Sequence, residues 1–250
     1  MSNLSVSQRL HDELGRIIAN TLPGERLPSE PVLAKQLHVS RATLREAMRT
    51  FETQGVIRRK QGSGTYVSRQ TAVIDTGLEV LESIETLAER IGLDVRLGDW
   101  RMDHRMATEA DCQALSLTKD QYVTTVTRVI LADERPVAYL IDILPDNQVS
   151  PAELKESFTG SVLDLLLRRG SPELVSSRTE INAVTANPEA ARALGIQRGD
   201  VLLGFVAYLY DSLGHVVDLS YSYFLPGYFR FHVVRRVGQR ESLTSKAAHA

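Results

Sequence analysis

The sequence contains very little cysteine and no long apolar run. Cys112 is the single cysteine among 250 residues, so the chain offers neither a disulfide framework nor a cysteine-based metal site. No stretch is apolar over the length that a membrane span requires, and the N-terminus lacks the pattern of a signal peptide. We therefore expect a cytoplasmic protein with no membrane association.

Motifs for catalysis and metal binding are also missing. The six histidines are scattered, and none has the spacing of a metal ligand set. No nucleophile–base pair and no pair of catalytic carboxylates stands out. We predict no catalytic residue, no metal and no cofactor.

Charge is divided unevenly along the chain. Residues 1–70 contain eleven Lys and Arg against six Asp and Glu, whereas residues 71–250 contain eighteen against twenty-five. A basic N-terminal part on an acidic remainder is typical of a chain whose first domain alone contacts nucleic acid.

The region 27–67 has the pattern of two short helices, a tight turn and a basic hairpin. Ser29 and Ser40 are good helix N-caps, and the apolar residues of the second helix recur three and four apart at Leu44, Met48 and Phe51. The two strands of the hairpin surround a glycine-containing tip at 61–64. This order predicts a winged helix-turn-helix, whose second helix enters the major groove of DNA.

The opposite face of the second helix carries arginine at every fourth position, at Arg41, Arg45 and Arg49. Arginine near the start of such a helix can read guanine, at about 1–3 kcal/mol of discrimination per bidentate pair. Arginine further along more often binds phosphate. A solvated arginine-rich helix is the alternative for any one of these residues.

Residues 4–68 resemble the DNA-binding domain of GntR-type bacterial transcription regulators. The motifs that carry the resemblance are LPSE at 27–30, LAKQLHVSRATLREAM at 33–48 and GVIRRKQGSGTYV at 55–67. One position departs from the family, which usually has Arg where this chain has Pro31. The resemblance and the arginine pattern together predict DNA contacts from Ser40, Arg41, Thr43, Arg45, Arg49, Gln61 and Gly62.

The second half of the chain contains an internal repeat with a spacing near 80 residues. Each copy runs through a short helix, a strand, a turn and a second strand, beginning near Thr108 and Asn187. Further strands are predicted at 94–106 and 174–185, and helices at 78–91 and 161–169. Two long hairpins predict one antiparallel sheet with helices on one side, an α+β architecture.

This part resembles the UTRA effector-binding domain of HutC-type GntR regulators, whose sheet topology is shared with chorismate lyase. The resemblance rests on TRVILADERPVAYLIDILP at 127–145, SVLDLLL at 161–167, ALGIQRGDVLL at 193–203 and HVVDLSYSYFLPGYFRF at 215–231. It implies effector contacts from Arg128, Ser161 and Asp218, and Tyr223 is a further candidate for the pocket.

Each of these residues also has a structural interpretation. Arg128 could be an exposed strand residue, Ser161 a helix N-cap, Asp218 a cross-strand partner of Arg128, and the tyrosine a core residue. Relatives that bind phosphosugars commonly have a second Arg and a Glu where this chain has Ile130 and Leu140. We expect a small effector, anionic or carboxylate-bearing, with Arg128 as its main charge partner.

The domain prediction is a winged helix-turn-helix at 1–68, a linker at 69–77, an effector-binding domain at 78–238 and a disordered tail at 239–250. The chain is predicted to be a homodimeric transcriptional regulator, most simply a repressor, that binds a palindromic double-stranded DNA operator and responds to a small molecule. The alternatives are a ligand-independent architectural DNA binder and a lyase-like enzyme.

Overall fold

The structure is a computed structural model that describes residues 6–53, 55–60, 63–68, 74–90 and 93–235. The predicted wing-tip contacts Gln61 and Gly62, the first part of the predicted linker at 69–73 and the predicted tail at 239–250 lie outside the described residues.

The N-terminal domain contains three helices and a two-stranded antiparallel hairpin. The helices are α1 (Val6–Ala19), α2 (Glu30–Gln36) and α3 (Arg41–Thr53), and the hairpin strands are β1 (Ile57–Lys60) and β2 (Gly64–Val67). Its core joins all five elements through buried side chains that include Leu14, Leu33, Leu44, Met48 and Ile57. The predicted winged helix-turn-helix is confirmed, with the apolar face of α3 turned inward.

The segment after the wing leads into the second domain as a strand. β3 (Ile74–Gly77) lies in the predicted linker and pairs in parallel with β10 (Phe229–His232). The helix predicted at 78–91 begins later, as α4 (Ile84–Arg90). The reason is local: the Ser83 hydroxyl accepts a hydrogen bond from the amide of Thr86 at 3.0 Å and so caps the helix at that point.

The second domain is built on a six-stranded antiparallel sheet with strand order β4-β5-β6-β9-β8-β7. The strands are β4 (Val95–Met106), β5 (Tyr122–Ala132), β6 (Arg135–Pro145), β7 (Leu174–Thr185), β8 (Val201–Asp211) and β9 (Val216–Phe224). The remaining helices are α5 (Glu109–Leu115), α6 (Pro151–Ser157), α7 (Val162–Arg169) and α8 (Pro188–Leu194).

The internal repeat is visible in this order, because β4-α5-β5-β6 and β7-α8-β8-β9 form equivalent halves that meet at β6 and β9. Each half caps its helix in the same way: Thr108 accepts from the third amide of α5, and Asn187 from the corresponding amide of α8. The predicted α+β architecture with two long hairpins is confirmed.

The two faces of the sheet are covered by different helices. Ile143 packs with α5 residues in one cluster, whereas the next residue, Leu144, packs with α7 residues in another. Since successive side chains of a strand point to opposite faces, α5 and α7 lie on opposite sides of the sheet. The prediction of helices on one side only is therefore wrong, because both faces of the sheet carry apolar side chains that need cover. Among the described residues, none of the helices has both the length and the apolar character that crossing a membrane requires.

Candidate DNA-reading face and effector cavity

The start of α3 is an exposed polar surface of the N-terminal domain. The Ser40 hydroxyl accepts a hydrogen bond from the Thr43 amide at 3.1 Å and lies 2.8 Å from the Thr43 hydroxyl. Arg41 is exposed, and Arg45 is also exposed while its Nε donates to Glu30 at 2.6 Å. The structure therefore brings four of the predicted DNA contacts together at one end of one helix.

A cleft of about 420 Å³ lies between this helix and the hairpin, with Pro31 also on its wall. Five cationic side chains line it, against the single carboxylate of Glu30: Arg26, Arg41, Arg45, Arg59 and Lys60. A cleft with this excess of positive charge attracts a phosphate backbone. Three of these cations, Arg26, Arg59 and Lys60, were missed in the sequence analysis, although the basic run at 58–60 was a signal for two of them.

Arg49 lies further along α3 and faces the second domain. Its guanidinium donates to Asp200 at 2.7 Å and also to Gln197, both in the turn between α8 and β8. The side chain of Asp200 is only 7% exposed, so this ion pair is largely shielded from water. In this arrangement Arg49 joins the two domains, and its predicted role in DNA binding remains a prediction.

Two further contacts support the same junction. Arg135 donates to the carbonyl of Glu52 at 2.8 Å, and its guanidinium lies 5.6 Å from the centre of the Tyr228 ring. Gly55 has a φ of +70°, and a Cβ at that position would lie 2.8 Å from the same ring. The end of α3 can therefore approach the second domain this closely only because residue 55 is glycine.

The second domain contains a cavity of about 620 Å³, which we call the central cavity. It lies over the α7 side of the sheet, and segments outside the sheet also border it, including β3, the loop before α4 and the start of α7. A volume of this size matches sites for small organic ligands. Its wall includes Thr76, Gly77, Ser83, Arg128, Asp142, Ser161, Ser177, Phe205, Asp218, Ser220, Ser222, Phe224 and Phe231.

Three of the four predicted effector contacts line this cavity. Arg128 and Asp218 are buried on β5 and β9, and Ser161 accepts from the Asp164 amide at 3.1 Å, which makes it the N-cap of α7 as well. Tyr223 is not among them. It lies between Ser222 and Phe224, which both line the cavity, so alternation turns its ring to the opposite face, where it stacks on Tyr139 at 6.2 Å.

Arg128 already has protein partners. Its Nη1 donates to Asp142 on β6, and its Nε lies 3.8 Å from Glu85 of α4. Asp218 lies further away, so the direct cross-strand partner is Asp142 and not the predicted Asp218. Burial raises the pKa of Asp142 and of Glu85, and raises the pKa of Asp218 well above its usual range.

Several polar atoms in this region lack partners. Oδ1 of Asp218, both carboxylate oxygens of Glu85 and Nε of Arg128 are buried without a hydrogen bond to any residue that the structure describes. Buried polar groups without partners destabilise a fold, so such atoms are typical of sites that a ligand completes.

Residues 100–230 match the UTRA domain family, and residues 5–67 match the gntR family of bacterial regulatory proteins. The chain belongs to the GntR family and carries a UTRA domain. It is 30% identical over 184 residues to the HTH-type transcriptional repressor NagR of Bacillus subtilis (strain 168). The aligned region covers 72% of this chain and 73% of NagR. The cleft beside α3 therefore lies in the DNA-binding domain, and the central cavity lies in the part of the chain that contains the UTRA domain.

Other relatives agree with this assignment. The histidine utilization repressor of Pseudomonas aeruginosa is 28% identical over 72% of this chain and 71% of its own length. Among solved structures, PhnF from Mycobacterium smegmatis superposes with a TM-score of 0.61 at 23% identity, covering 92% of this chain and all of the other. The latter likeness concerns the fold. This GntR protein is therefore a transcriptional regulator of the HutC type.

Proposed function

We propose that this GntR protein is a repressor that binds a palindromic operator as a homodimer. A small molecule in the central cavity releases the protein from that operator or changes its affinity for it. The family supports DNA-binding regulation, and the two curated relatives described above are both repressors. One of these relatives is named for histidine utilization, which supports a connection with a metabolic operon.

The observation that carries the proposal is the position of β3. This strand follows the wing in the chain, and two of its residues, Thr76 and Gly77, line the central cavity. It is attached to β10 along its length, from the Ile74 amide bonded to the Tyr228 carbonyl at 3.0 Å to the Leu78 amide bonded to the His232 carbonyl at 3.0 Å. A ligand that contacts this wall acts on the segment that carries the DNA-binding domain.

In a dimer, a ligand that displaces β3 changes the affinity for the operator. Two-fold symmetry places one DNA-binding domain on each half of a palindrome. Once one DNA-binding domain is bound, binding of the partner's DNA-binding domain is intramolecular. A small change in the spacing of the two DNA-binding domains removes that advantage. A chromosomal operator also places this activity in the bacterial cytoplasm.

Selection of duplexes from a random pool tests the DNA side of the proposal. We expect an inverted repeat, a 2:1 complex of protein chains to duplex, and much weaker binding to a single half-site. The affinity should fall with salt at a log–log slope of about −0.9 per phosphate neutralised. An asymmetric selected site bound by one chain, or a slope near zero, would contradict the proposal.

The effector side is tested by a thermal-shift screen of metabolites, followed by anisotropy titrations of the selected duplex. Compounds that stabilise the protein through the cavity should change its operator affinity. A compound that occupies the cavity and leaves the operator affinity unchanged would argue against control by ligand.

A further inference from the structure

The central cavity is lined by more acidic than basic side chains. Around the buried guanidinium of Arg128 lie three carboxylates, those of Asp142, Asp218 and Glu85, which we call the acidic cluster. Asp142 and Asp218 line the cavity, as do the glutamates Glu79 and Glu82, whereas Glu85 is not part of the wall. An anion entering here would meet an arginine that is already neutralised and several carboxylates that repel it.

Asp218 is the residue of the cavity wall that most clearly needs a hydrogen-bond donor. Its side chain is about nine-tenths buried, it lines the cavity, and its Oδ1 has no hydrogen-bond partner in the part of the chain that the structure describes. Arg128 does not bond this oxygen: its Nη1 donates to Asp142, and its Nε, which makes no hydrogen bond, lies 3.8 Å from Glu85. The missing group is therefore a donor, and in a region with this excess of carboxylates a charged donor is favoured.

The remaining wall indicates what such a donor is attached to. Along β9 the residues that line the cavity are Asp218, Ser220, Ser222 and Phe224, at every second position. The wall thus changes from carboxylate through two hydroxyls to a phenyl ring, over about 20 Å at 3.3 Å per residue. Phe224 lies 5.1 Å from Phe205 between ring centres, and both rings line the cavity.

We propose that the effector is an organic cation, a primary amine on an apolar or hydroxylated body, whose ammonium group binds at Asp218 and the acidic cluster. This inference rests on the proposed function, because it assigns a chemical class to the ligand of the same cavity. It reverses the sign of charge expected from Arg128 alone. An ammonium group supplies three donors and one positive charge, which fits the unpartnered Oδ1 of Asp218 and the negative charge of the acidic cluster around it.

A matched series of probes tests the charge preference on the full-length protein. Tyramine, tyrosol and 3-(4-hydroxyphenyl)propionate share a phenol ring and a two-carbon arm, and differ in ending with an ammonium, a hydroxyl or a carboxylate. Calorimetric or saturation-transfer titrations should show tyramine binding at least about tenfold more tightly than the other two. Equal or tighter binding of the propionate, or no binding of tyramine, would overturn the proposal.

Variants locate the interaction. Asp218→Asn keeps the shape of the side chain and removes its charge, and should abolish the preference for tyramine. Asp94→Asn removes the same charge from an exposed residue that is outside the cavity wall, and should retain the preference. If Asp218→Asn does not fold, Glu85→Gln takes its place, with a partial loss expected. An undiminished preference for tyramine in folded Asp218→Asn, or in Glu85→Gln where it replaces that variant, would also overturn the proposal.

Proton release gives an independent reading. Burial raises the pKa of Asp218, and a cation favours its ionised form, so binding should release protons and strengthen as pH rises through that pKa. Titrations in buffers of different ionisation enthalpy measure the release. Operator affinity is measured in parallel. If the propionate binds tightly and weakens operator binding, the cationic effector is refuted and the repressor proposal stands. If tyramine binds without changing operator affinity, the repressor proposal alone is refuted.

Discussion

Replacing Arg128 with methionine should destabilise the second domain strongly. The substitution keeps much of the volume of the side chain and removes its charge, which leaves Asp142 buried without its partner. Breaking a buried ion pair by removing one member costs about 3–5 kcal/mol of unfolding free energy. For a protein of this size such a loss lowers the Tm by about 6–20 °C.

The loss should depend on pH in a defined direction. Removing the guanidinium removes the main influence that lowers the pKa values of Asp142 and Glu85, so burial raises them further. A carboxyl whose folded-state pKa is raised contributes stability below its unfolded pKa, near 4, and loses that contribution as pH rises through the folded pKa. The Tm difference between parent and Arg128→Met should therefore be smallest in acid and largest at neutral pH and above.

Differential scanning calorimetry across this pH range measures both effects. The double variant with Arg128→Met and Asp142→Leu is the control: it replaces the ion pair by apolar side chains and should recover part of the stability, while Glu85 and Asp218 stay without the guanidinium. A single variant within about 1 kcal/mol of the parent at neutral pH would refute the reasoning. So would a loss that does not shrink in acid.

Three further predictions concern the DNA-binding domain. Arg41→Ala and Arg45→Ala should each weaken operator binding by about 1–3 kcal/mol in anisotropy titrations and leave the Tm unchanged, because both side chains are exposed; parent-like affinity would exclude α3 as the reading helix. Pro31→Arg adds a cation to the cleft and should tighten binding; unchanged affinity would place Pro31 away from the DNA. Asp200→Asn weakens the ion pair between Asp200 and Arg49 and should raise operator affinity in the absence of effector. This gain in affinity should vanish in the double variant with Arg49→Ala. A gain that persists there would show that Arg49 does not mediate the effect.

Local pattern predicted most of the fold. The spacing of Leu44, Met48 and Phe51 identified the buried face of α3 correctly, because a helix with one apolar stripe has only one way to bury it. The repeat predicted two equivalent hairpins, and the sheet contains them side by side. These features depend on residues close to one another in the chain.

The parts that sequence could not supply depend on register and on contacts between domains. Arg128 pairs with Asp142 because the two strands are offset so that Leu140 stands opposite Arg128 and Asp142 is its diagonal neighbour. A shift of the register would have changed this partner without changing any pattern in the sequence. The position of Tyr223 was within reach of the sequence, because alternation along β9 places it on the face opposite to Asp218. The contact of Arg49 with Asp200 joins residues of different domains, and no local rule predicts such pairs.

The parallel pairing of β3 with β10 has a consequence for the order of folding. Its two strands stand near opposite ends of the second domain in the chain, so their contact has one of the largest sequence separations in the protein. During synthesis the DNA-binding domain can form before β9 and β10, which lie close together near the end of the second domain, have left the ribosome, whereas β3 must wait for β10. A newly made chain would then pass through an interval in which it is competent to bind DNA and still lacks one wall of the cavity. Hydrogen exchange should likewise find that this strand pair opens before the central strands, so mild destabilisation would remove control by ligand earlier than it removes the fold.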